Sequence, residues 1–162
     1  LGCIVSTRSF HMANRHLARS VVLQTLFEWD TTNSDISGAP EMLMRNVEEF
    51  GGDDTDRPFM ETLLTGVLAK KDELDLIITK AAPDWPLERI APVDRNILRF
   101  STYELLFMDE IPPKVTINEA VNIAKKYSQD EAGKFVNGIL DKIHHTESPP
   151  SKTMNHCTDP SG

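Results

Sequence analysis

The sequence contains few of the residues that mark disulfide-stabilised proteins. Only two of its 162 residues are cysteines, Cys3 and Cys157, and both lie near a chain end, outside the region with a regular apolar pattern. A disulfide framework would place cysteines within the folded core, so a disulfide-stabilised fold is excluded. We therefore expect a reducing, cytoplasmic compartment.

Metal ligands at a recognised spacing are also missing. His144 and His145 precede His156 and Cys157, but these four residues do not match the ligand spacing of a zinc site. The adjacent histidines are expected instead at the end of a helix, where side chains that can carry positive charge are favoured. We expect neither a metal nor an organic cofactor.

Long hydrophobic runs are absent as well. No window reaches the ~20 apolar residues of a membrane span, and the first residues lack the charged and apolar regions of a signal peptide. No membrane association is expected. The segment after Ser148 is rich in Pro and Ser, which is typical of disorder. We predict a flexible N-terminal extension over residues 1–12, a helical domain over 13–146 and a disordered tail over 147–162.

Acidic residues are missing from the N-terminal end of an otherwise acidic chain. The net charge of -8 disfavours nonspecific binding of nucleic acid by the whole surface. No Asp or Glu occurs between Leu1 and Phe27, so this segment carries a formal charge of +3 and the remainder carries -11. Its basic and histidine side chains are Arg8, His11, Arg15, His16 and Arg19. The chain can therefore still present one basic face.

Strand-like alternation of apolar and polar residues is absent, and apolar residues recur at helical spacing instead. In the N-terminal half the pattern predicts a first helix capped by Asn14 and a second helix over residues 41–50. A third, long helix is predicted with Pro58 in its first turn. It is expected to continue to about Ala82.

The C-terminal half has the same helical pattern, with prolines between its segments. Pro92 is predicted to open a helix that Pro112 and Pro113 close. This helix is apolar over much of its circumference, so we expect it at the centre of the fold. The whole pattern predicts an all-α fold of about seven helices.

Two pairs of residues near the C-terminus have the spacing of a capping box. Thr116 with Glu119, and Ser128 with Glu131, are predicted to cap the last two helices. Gly138 lies inside the last helix, where glycine costs about 1 kcal/mol relative to alanine. The close approach of another helix would explain this glycine.

Three segments of the chain resemble one family, the NusB-type transcription antitermination factors. They are NRHLARSVVLQTLFEWD, IAPVDRNILRFSTYELLFMDEIPPKVTINEAV and AKKYSQDEAGKFVNGILDKI, and the likeness extends from about Asn14 to His145. The resemblance implies two small packed helical bundles without enzymatic activity. It also implies binding to boxA-type single-stranded RNA together with NusE, a ribosomal protein of the small subunit. That complex would make RNA polymerase read through terminators, chiefly in ribosomal RNA operons.

The first candidate RNA contacts are the basic residues of the N-terminal helix. Arg15 and Arg19 are four residues apart and share a helix face. A guanidinium group can bind a phosphate with two hydrogen bonds or stack on a base. The resemblance implies that Arg15, His16 and Arg19 contact RNA. The alternative is an ordinary solvated basic face.

The second candidate RNA surface is the junction of the last two helices. The resemblance assigns the segment from Gln129 to Lys134 to this surface. Asp130 and Glu131 lie in the same segment and would repel phosphate. We interpret these acids either as helix-capping groups or as groups that weaken RNA binding, so that the partner protein is needed.

The resemblance also implies a face for the partner protein. Its predicted members are Phe27, Trp29, Asp94, Arg95 and Arg99. Exposed aromatic and arginine side chains often anchor interfaces. The alternative for the two aromatic residues is a place in the core.

Two other functions are weighed against RNA binding with NusE. A self-associating helical module would form a homodimer that hides the arginine face. A NusB-like domain also occurs in RNA cytosine methyltransferases, but this chain has no glycine-rich loop after a strand and no catalytic cysteine motif in its core. It is also too short to contain that catalytic domain.

Overall fold

The computed structural model describes the backbone of residues 5–50 and 56–147, and the side chains of residues 15–50 and 56–147. Within these ranges the chain forms seven α-helices and no strand, so the predicted all-α fold is confirmed. No helix in the described part of the chain is long and apolar enough to cross a bilayer. The predicted flexibility of residues 1–12 and of the tail stays a prediction.

The helices fall into two compact units that meet at Ala69 and Lys70 in the sequence. This division agrees with the two helical bundles that the family resemblance implies. The first unit contains α1 (Val5–Thr32), α2 (Ala39–Phe50) and α3 (Arg57–Ala69). The second contains α4 (Lys71–Ala81), α5 (Pro92–Phe107), α6 (Pro113–Tyr127) and α7 (Ala132–Glu147). Short 3-10 helices occur at Ile36–Gly38 and Leu87–Arg89.

In the first unit, α1 packs against α2 and α3. The apolar face of each helix is buried; the largest side chains in this core include Leu26, Leu43, Met60, Leu63 and Leu64. A hydrogen bond between side chains is buried in the same core: Asn46 Nδ2 donates to Thr25 Oγ1 at 3.0 Å. This bond satisfies a buried amide and links α2 to α1.

In the second unit, α5 lies at the centre and packs against α4, α6 and α7, as predicted. Ile97, Leu98, Phe100 and Leu105 of α5 are fully buried. Because this helix is enclosed, its polar side chains need partners inside the protein. The buried Glu104 accepts a hydrogen bond from Thr116 Oγ1 of α6 at 3.1 Å.

Three predicted helix limits are wrong. The first helix begins at Val5 and not at Asn14, because residues 5–13 contain neither Gly nor Pro to interrupt it. The predicted long third helix is two helices, α3 and α4, which pack in different units; Lys70 between them leaves the helical conformation, with φ -109° and ψ 17°.

The central helix also ends earlier than predicted. It ends at Phe107, and the connecting residues Met108 and Ile111 are buried before the prolines begin. Pro113 is the first residue of α6 and does not close α5. The fixed φ of proline suits a first helical turn, which explains this position.

Both predicted capping boxes are wrong. Thr116 lies inside α6, and its hydroxyl binds Glu104 instead of a helix terminus. Ser128 ends α6 and does not begin α7; its backbone N–H donates to the carbonyl of Ala124 at 2.9 Å. Glu131 directly precedes α7, which begins at Ala132.

The close approach predicted at Gly138 occurs at another glycine. Gly138 is exposed, and a Cβ atom built there meets nothing within 4 Å. At Gly133, by contrast, a Cβ atom would lie 3.0 Å from the Lys125 side chain and 3.4 Å from Val121 Cγ1. The first turn of α7 therefore lies close against α6, and Gly133 allows that contact.

Candidate nucleic-acid interface

Arg15 and Arg19 of α1 both contact one aromatic ring of α3, that of Phe59. The guanidinium carbon of Arg15 lies 4.5 Å from the centre of the Phe59 ring, and that of Arg19 lies 5.4 Å from it. The spacing of four residues brings both arginines to the same side of α1, as predicted. The ring attracts each cation and limits the movement of its side chain.

The two arginines differ in how much surface they offer. Arg15 and His16 are half-buried, whereas Arg19 is 2 % exposed. The Nε atom of Arg15 is buried and has no hydrogen-bond partner among the described residues. Arg15 and His16 therefore have surface for a ligand, and Arg19 has very little. The predicted RNA contacts of all three residues stay predictions.

The second predicted RNA surface lies at the turn between α6 and α7, in the second unit. Gln129 and Lys134 are both exposed, and so are the two acids between them, Asp130 and Glu131. The α6 residues Lys125 and Lys126 are also exposed. This turn therefore offers side chains of both signs to solvent.

A cavity of about 350 Å³ opens beside this turn, within the second unit. One wall is aromatic: the Trp85 ring contacts the Phe135 ring edge to face, with 5.9 Å between ring centres and 73° between planes. Trp85 is 56 % exposed. The lining of the cavity also includes Arg89, Asp94, Gln129 and Glu131.

Asp94, which lines this cavity, has a pKa that is changed by its surroundings. Desolvation by burial raises the pKa of Asp94 above its ordinary value of 3.8, and a hydrogen bond from the Ser128 side chain opposes that rise. Its Oδ1 atom is buried and has no hydrogen-bond partner among the described residues. The cavity therefore contains an acceptor that no described residue satisfies.

The predicted partner-protein residues are distributed over both units. In the first unit, Phe27 is half-buried and Trp29 is buried in the core, so the alternative reading fits Trp29. In the second unit, Asp94 and Arg95 are half-buried and Arg99 is buried. Their contact with a partner stays a prediction.

The two arginines of this group bind within their own unit. Arg99 forms a two-bond ion pair with Asp75 of α4, with Nε to Oδ1 at 2.7 Å and Nη2 to Oδ2 at 3.1 Å. Arg95 Nη1 donates to the carbonyls of Leu87 and Ile90, both at 3.2 Å. The Arg99 bonds hold α4 against α5, and the Arg95 bonds hold the segment before α5 against the same helix.

The C-terminal histidines show no sign of a metal site. Among the residues with described side chains, no group of three or more His, Cys, Asp or Glu could hold a metal ion. His145 Nδ1 lies 2.7 Å from the carbonyl oxygen of Asp141, one turn earlier in α7. Cys3, His156 and Cys157 lie outside the described residues.

The sequence did not lead us to predict that Phe59 and Trp85 take part in the candidate interface. Phe59 fits the apolar pattern of α3, so nothing in the sequence separates it from an ordinary core residue. Trp85 had a usable signal, because a tryptophan in the turn between two helices, next to Pro86, lies outside the helical apolar pattern.

Comparison with known proteins gives one consistent result. The family model described as the NusB family matches residues 16–145. A protein from Desulfitobacterium hafniense (strain DSM 10664 / DCB-2) is 44 % identical over 132 residues, covering 80 % of this chain and 87 % of the relative. A protein from Bacillus pumilus is 44 % identical over 129 residues, covering 80 % and 93 %. Both are named transcription antitermination protein NusB.

Solved structures agree with this result. NusB from T. maritima matches with a TM-score of 0.78 and 35 % identity, covering 86 % of this chain and 96 % of that one. A chain from a crystal structure of antitermination factors NusB and NusE in complex with double-stranded RNA matches with a TM-score of 0.74 and 30 % identity, covering 83 % and 98 %. The sequence and the fold together show that this chain belongs to the NusB family.

Proposed function

We propose that this protein is a transcription antitermination factor that binds boxA-type single-stranded RNA together with NusE. The observation that carries the proposal is the accessible basic surface of Arg15 and His16, with Arg15 held over Phe59, at the acid-free end of an acidic chain. Family membership supports it, since a similar chain was crystallised with NusE and RNA. RNA binding places the protein among interaction modules and not among enzymes, in agreement with its family.

The charge distribution explains why a partner protein is part of the proposal. Arg15 and His16 offer a small basic surface, and the α6–α7 turn places Lys134 beside two exposed acids. Each phosphate contact adds to the affinity, so a surface with so few of them binds RNA weakly by itself. NusE would supply the remaining contacts and bind the protein at the same time.

The residues proposed for contact with NusE are Phe27 and Trp29 in the first unit, and Asp94, Arg95 and Arg99 in the second. Arg95 and Arg99 are already bonded within their own unit, so they would support the residues around them more than touch the partner. Phe27 and Asp94 are half-buried and keep some surface for direct contact.

The wider role follows from the same proposal. The complex with RNA and NusE would act on RNA polymerase in the cytoplasm and favour read-through of terminators, chiefly in ribosomal RNA operons. An in vitro transcription assay on a template with a boxA sequence and a terminator measures this role directly. Read-through should rise when the protein and NusE are added together.

Assembly of the complex is the first test. Size-exclusion chromatography with light scattering should give one peak for an equimolar mixture of the protein, NusE and boxA RNA, with the summed mass of the three. Separate elution of all three components from a folded protein would contradict the proposal.

The same experiment tests the homodimer alternative. The protein alone should elute with the mass of one chain, and that result removes self-association. A dimer that persists in the presence of RNA and NusE, and that excludes them, would favour the self-associating module instead.

A further inference from the structure

A groove in the second unit has no part in the proposed function. It has a volume of about 560 Å³ and is lined by the turn after α5, the start of α6 and the last turns of α7. Its apolar lining comes from Pro112, Pro113 and Ile117, which are exposed or half-buried. The groove therefore offers apolar surface to a ligand.

Three carboxyl groups line the same groove, those of Asp109, Glu110 and Asp141. Asp109 and Glu110 are exposed, and their carboxyl groups form no ion pair with a described residue. Asp141 Oδ1 lies 3.6 Å from His145 Nδ1. Lys114 is the only Lys or Arg among the described residues of the lining, so three negative charges and one positive charge give the groove a formal charge of -2 with neutral histidines. A negative groove attracts cationic groups and repels phosphate.

The turn that carries Asp109 and Glu110 is anchored in the core. The flanking Met108 and Ile111 side chains are buried, and the Ile111 backbone N–H donates to the Met108 carbonyl at 3.2 Å. The two prolines that follow have a fixed φ. Because this wall is already formed, a ligand has to order little of the chain when it binds, which lowers the entropic cost of binding.

The groove is too open to enclose a small molecule. Sites for small molecules bury roughly 70–90 % of the surface of their ligand. In this groove most of the polar lining residues are exposed to solvent. Apolar surface next to the unpaired carboxyl groups of Asp109 and Glu110 suits instead the side chains of a protein segment that runs across the groove.

The groove and the candidate RNA surface lie at opposite ends of α7. The α6–α7 turn precedes Ala132, the first residue of this helix, whereas the groove is lined by Asp141, His144 and His145, close to its last residue, Glu147. A helix of 16 residues is about 24 Å long. A ligand in the groove therefore leaves the α6–α7 turn accessible.

We propose that this groove docks a basic segment of a second protein partner. An apolar side chain of that segment packs on Pro112 and Ile117, and neighbouring Lys or Arg side chains pair with Asp109 and Glu110. The inference goes beyond the proposed function, because this contact needs neither RNA nor NusE. It lets the protein bind another protein while RNA occupies the other end of α7.

A peptide titration of the full chain tests the proposal. The probe is a peptide of the sequence Gly-Lys-Leu-Arg-Leu-Lys-Gly, added to the isotope-labelled protein and followed by two-dimensional NMR. The backbone amide signals of Glu110, Lys114 and Asn118 should shift until they saturate, and those of the α6–α7 turn should not. A peptide with serine in place of leucine should bind at least about threefold more weakly, because it buries less apolar surface. A peptide with glutamate in place of lysine and arginine should not bind.

Charge reversal in the groove gives the decisive comparison. The double variant Asp109→Lys, Glu110→Lys should weaken peptide binding at least about tenfold, because like charges then face each other. The matched control is Glu48→Lys, Glu49→Lys, which changes two adjacent exposed acids of α2 in the first unit. The two variants have the same net charge, and the control should stay within about twofold of the wild type, because salt screens distant charges. Thermal melts followed by circular dichroism verify that each variant is folded.

The complex with RNA and NusE supplies a second comparison. The peptide should bind a preassembled mixture of the protein, NusE and boxA RNA within about twofold of its affinity for the protein alone. The groove variant and its control should bind boxA RNA and NusE equally well.

The outcomes separate this inference from the proposed function. Absence of peptide binding by the wild type, equal binding of the serine peptide, or equal binding by the groove variant and its control would each overturn the docking site. If NusE displaces the peptide, the groove belongs to the NusE contact and the inference is wrong. Failure of the wild type to bind RNA with NusE present contradicts the proposed function alone, since the peptide titration uses neither.

Discussion

At the scale of single residues, Arg15 and Arg19 of α1 have different roles. They have the same charge and the same helix face, and both lie over Phe59. Arg15 keeps accessible surface, whereas Arg19 is almost fully enclosed. Sequence spacing predicts their shared face correctly, but it cannot show the burial, since that depends on what packs around the helix.

Single substitutions should separate these roles. Arg15→Ala should weaken binding of boxA RNA in the presence of NusE and lower the slope of log affinity against log salt by about 0.7, the value for one phosphate contact on a single strand. Its free energy of unfolding should stay within about 1 kcal/mol of the wild type. Binding titrations at several salt concentrations and urea denaturation measure both quantities.

Arg19→Ala should act mainly on stability. It removes a buried side chain and its contact with Phe59, so the free energy of unfolding should fall by about 1–3 kcal/mol. RNA binding measured well below the melting temperature should change less than for Arg15→Ala. An Arg19→Ala protein of wild-type stability that has lost RNA binding would contradict this division.

Asp94 gives a prediction for pH. Because burial raises the pKa of Asp94 above 3.8 in the folded state, the folded protein holds this proton more tightly than the unfolded chain does. The stability linked to this group is therefore complete below about pH 3.8 and decreases as pH rises through the folded pKa.

The variant Asp94→Asn should lack this pH dependence. Its free energy of unfolding should equal that of the wild type near pH 3.5. At pH 7 it should be higher than that of the wild type by about 1 kcal/mol or less, because the side chain is half-exposed and solvent screens its charge. Urea denaturation at the two pH values measures the difference. A variant that is less stable than the wild type at pH 7 would refute this assignment.

At the scale of elements, the helical pattern of the sequence predicts correctly that the chain forms helices, but it does not predict where each helix begins and ends. The apolar spacing identifies α5 as the central helix, which is confirmed. The same spacing runs through Lys70 without a break, so it cannot show that α3 and α4 pack in different units. Thr116 and Ser128 have the right spacing for helix caps, but their hydroxyl groups bind the α5 carboxyl groups of Glu104 and Asp94 instead.

The contact between α4 and α5 depends on the Arg99–Asp75 ion pair. Arg99→Ala should lower the free energy of unfolding by about 2–4 kcal/mol, because it leaves a largely buried carboxylate without its main partner. Lys71→Ala is the control. Lys71 also bonds to Asp75, at 2.9 Å, but it is more exposed, so its loss should cost less than about 1 kcal/mol. Equal losses for the two variants would argue against the central role of Arg99.

The two glycines of α7 should respond differently to alanine. Gly138→Ala should stabilise the protein by about 0.5–1 kcal/mol, since the position is helical and a Cβ atom there meets open space. Gly133→Ala should stabilise it less or destabilise it, because its Cβ atom would press on Lys125 and Val121 of α6. Thermal melts of both variants measure the difference. A larger gain at Gly133 would contradict the described packing of α6 and α7.

At the scale of the whole molecule, an acidic chain has a segment without acidic residues, and therefore with a positive charge, at its N-terminal end. The charge asymmetry is visible in the sequence, and so is membership of the NusB family. The contact of Arg15 and Arg19 with Phe59 and the cavity beside Trp85 cannot be predicted from the sequence, because each brings together residues that are far apart along the chain. Both follow from how the helices of one unit pack around each other.

The central claim is that this small basic surface binds boxA RNA together with NusE. A fluorescence anisotropy titration of labelled boxA RNA with the protein, in the presence and absence of NusE and at low and physiological salt, tests it most directly. We expect weak, strongly salt-dependent binding by the protein alone and clearly tighter binding when NusE is present. Absence of RNA binding in both mixtures, from a protein shown to be folded by circular dichroism, would contradict it.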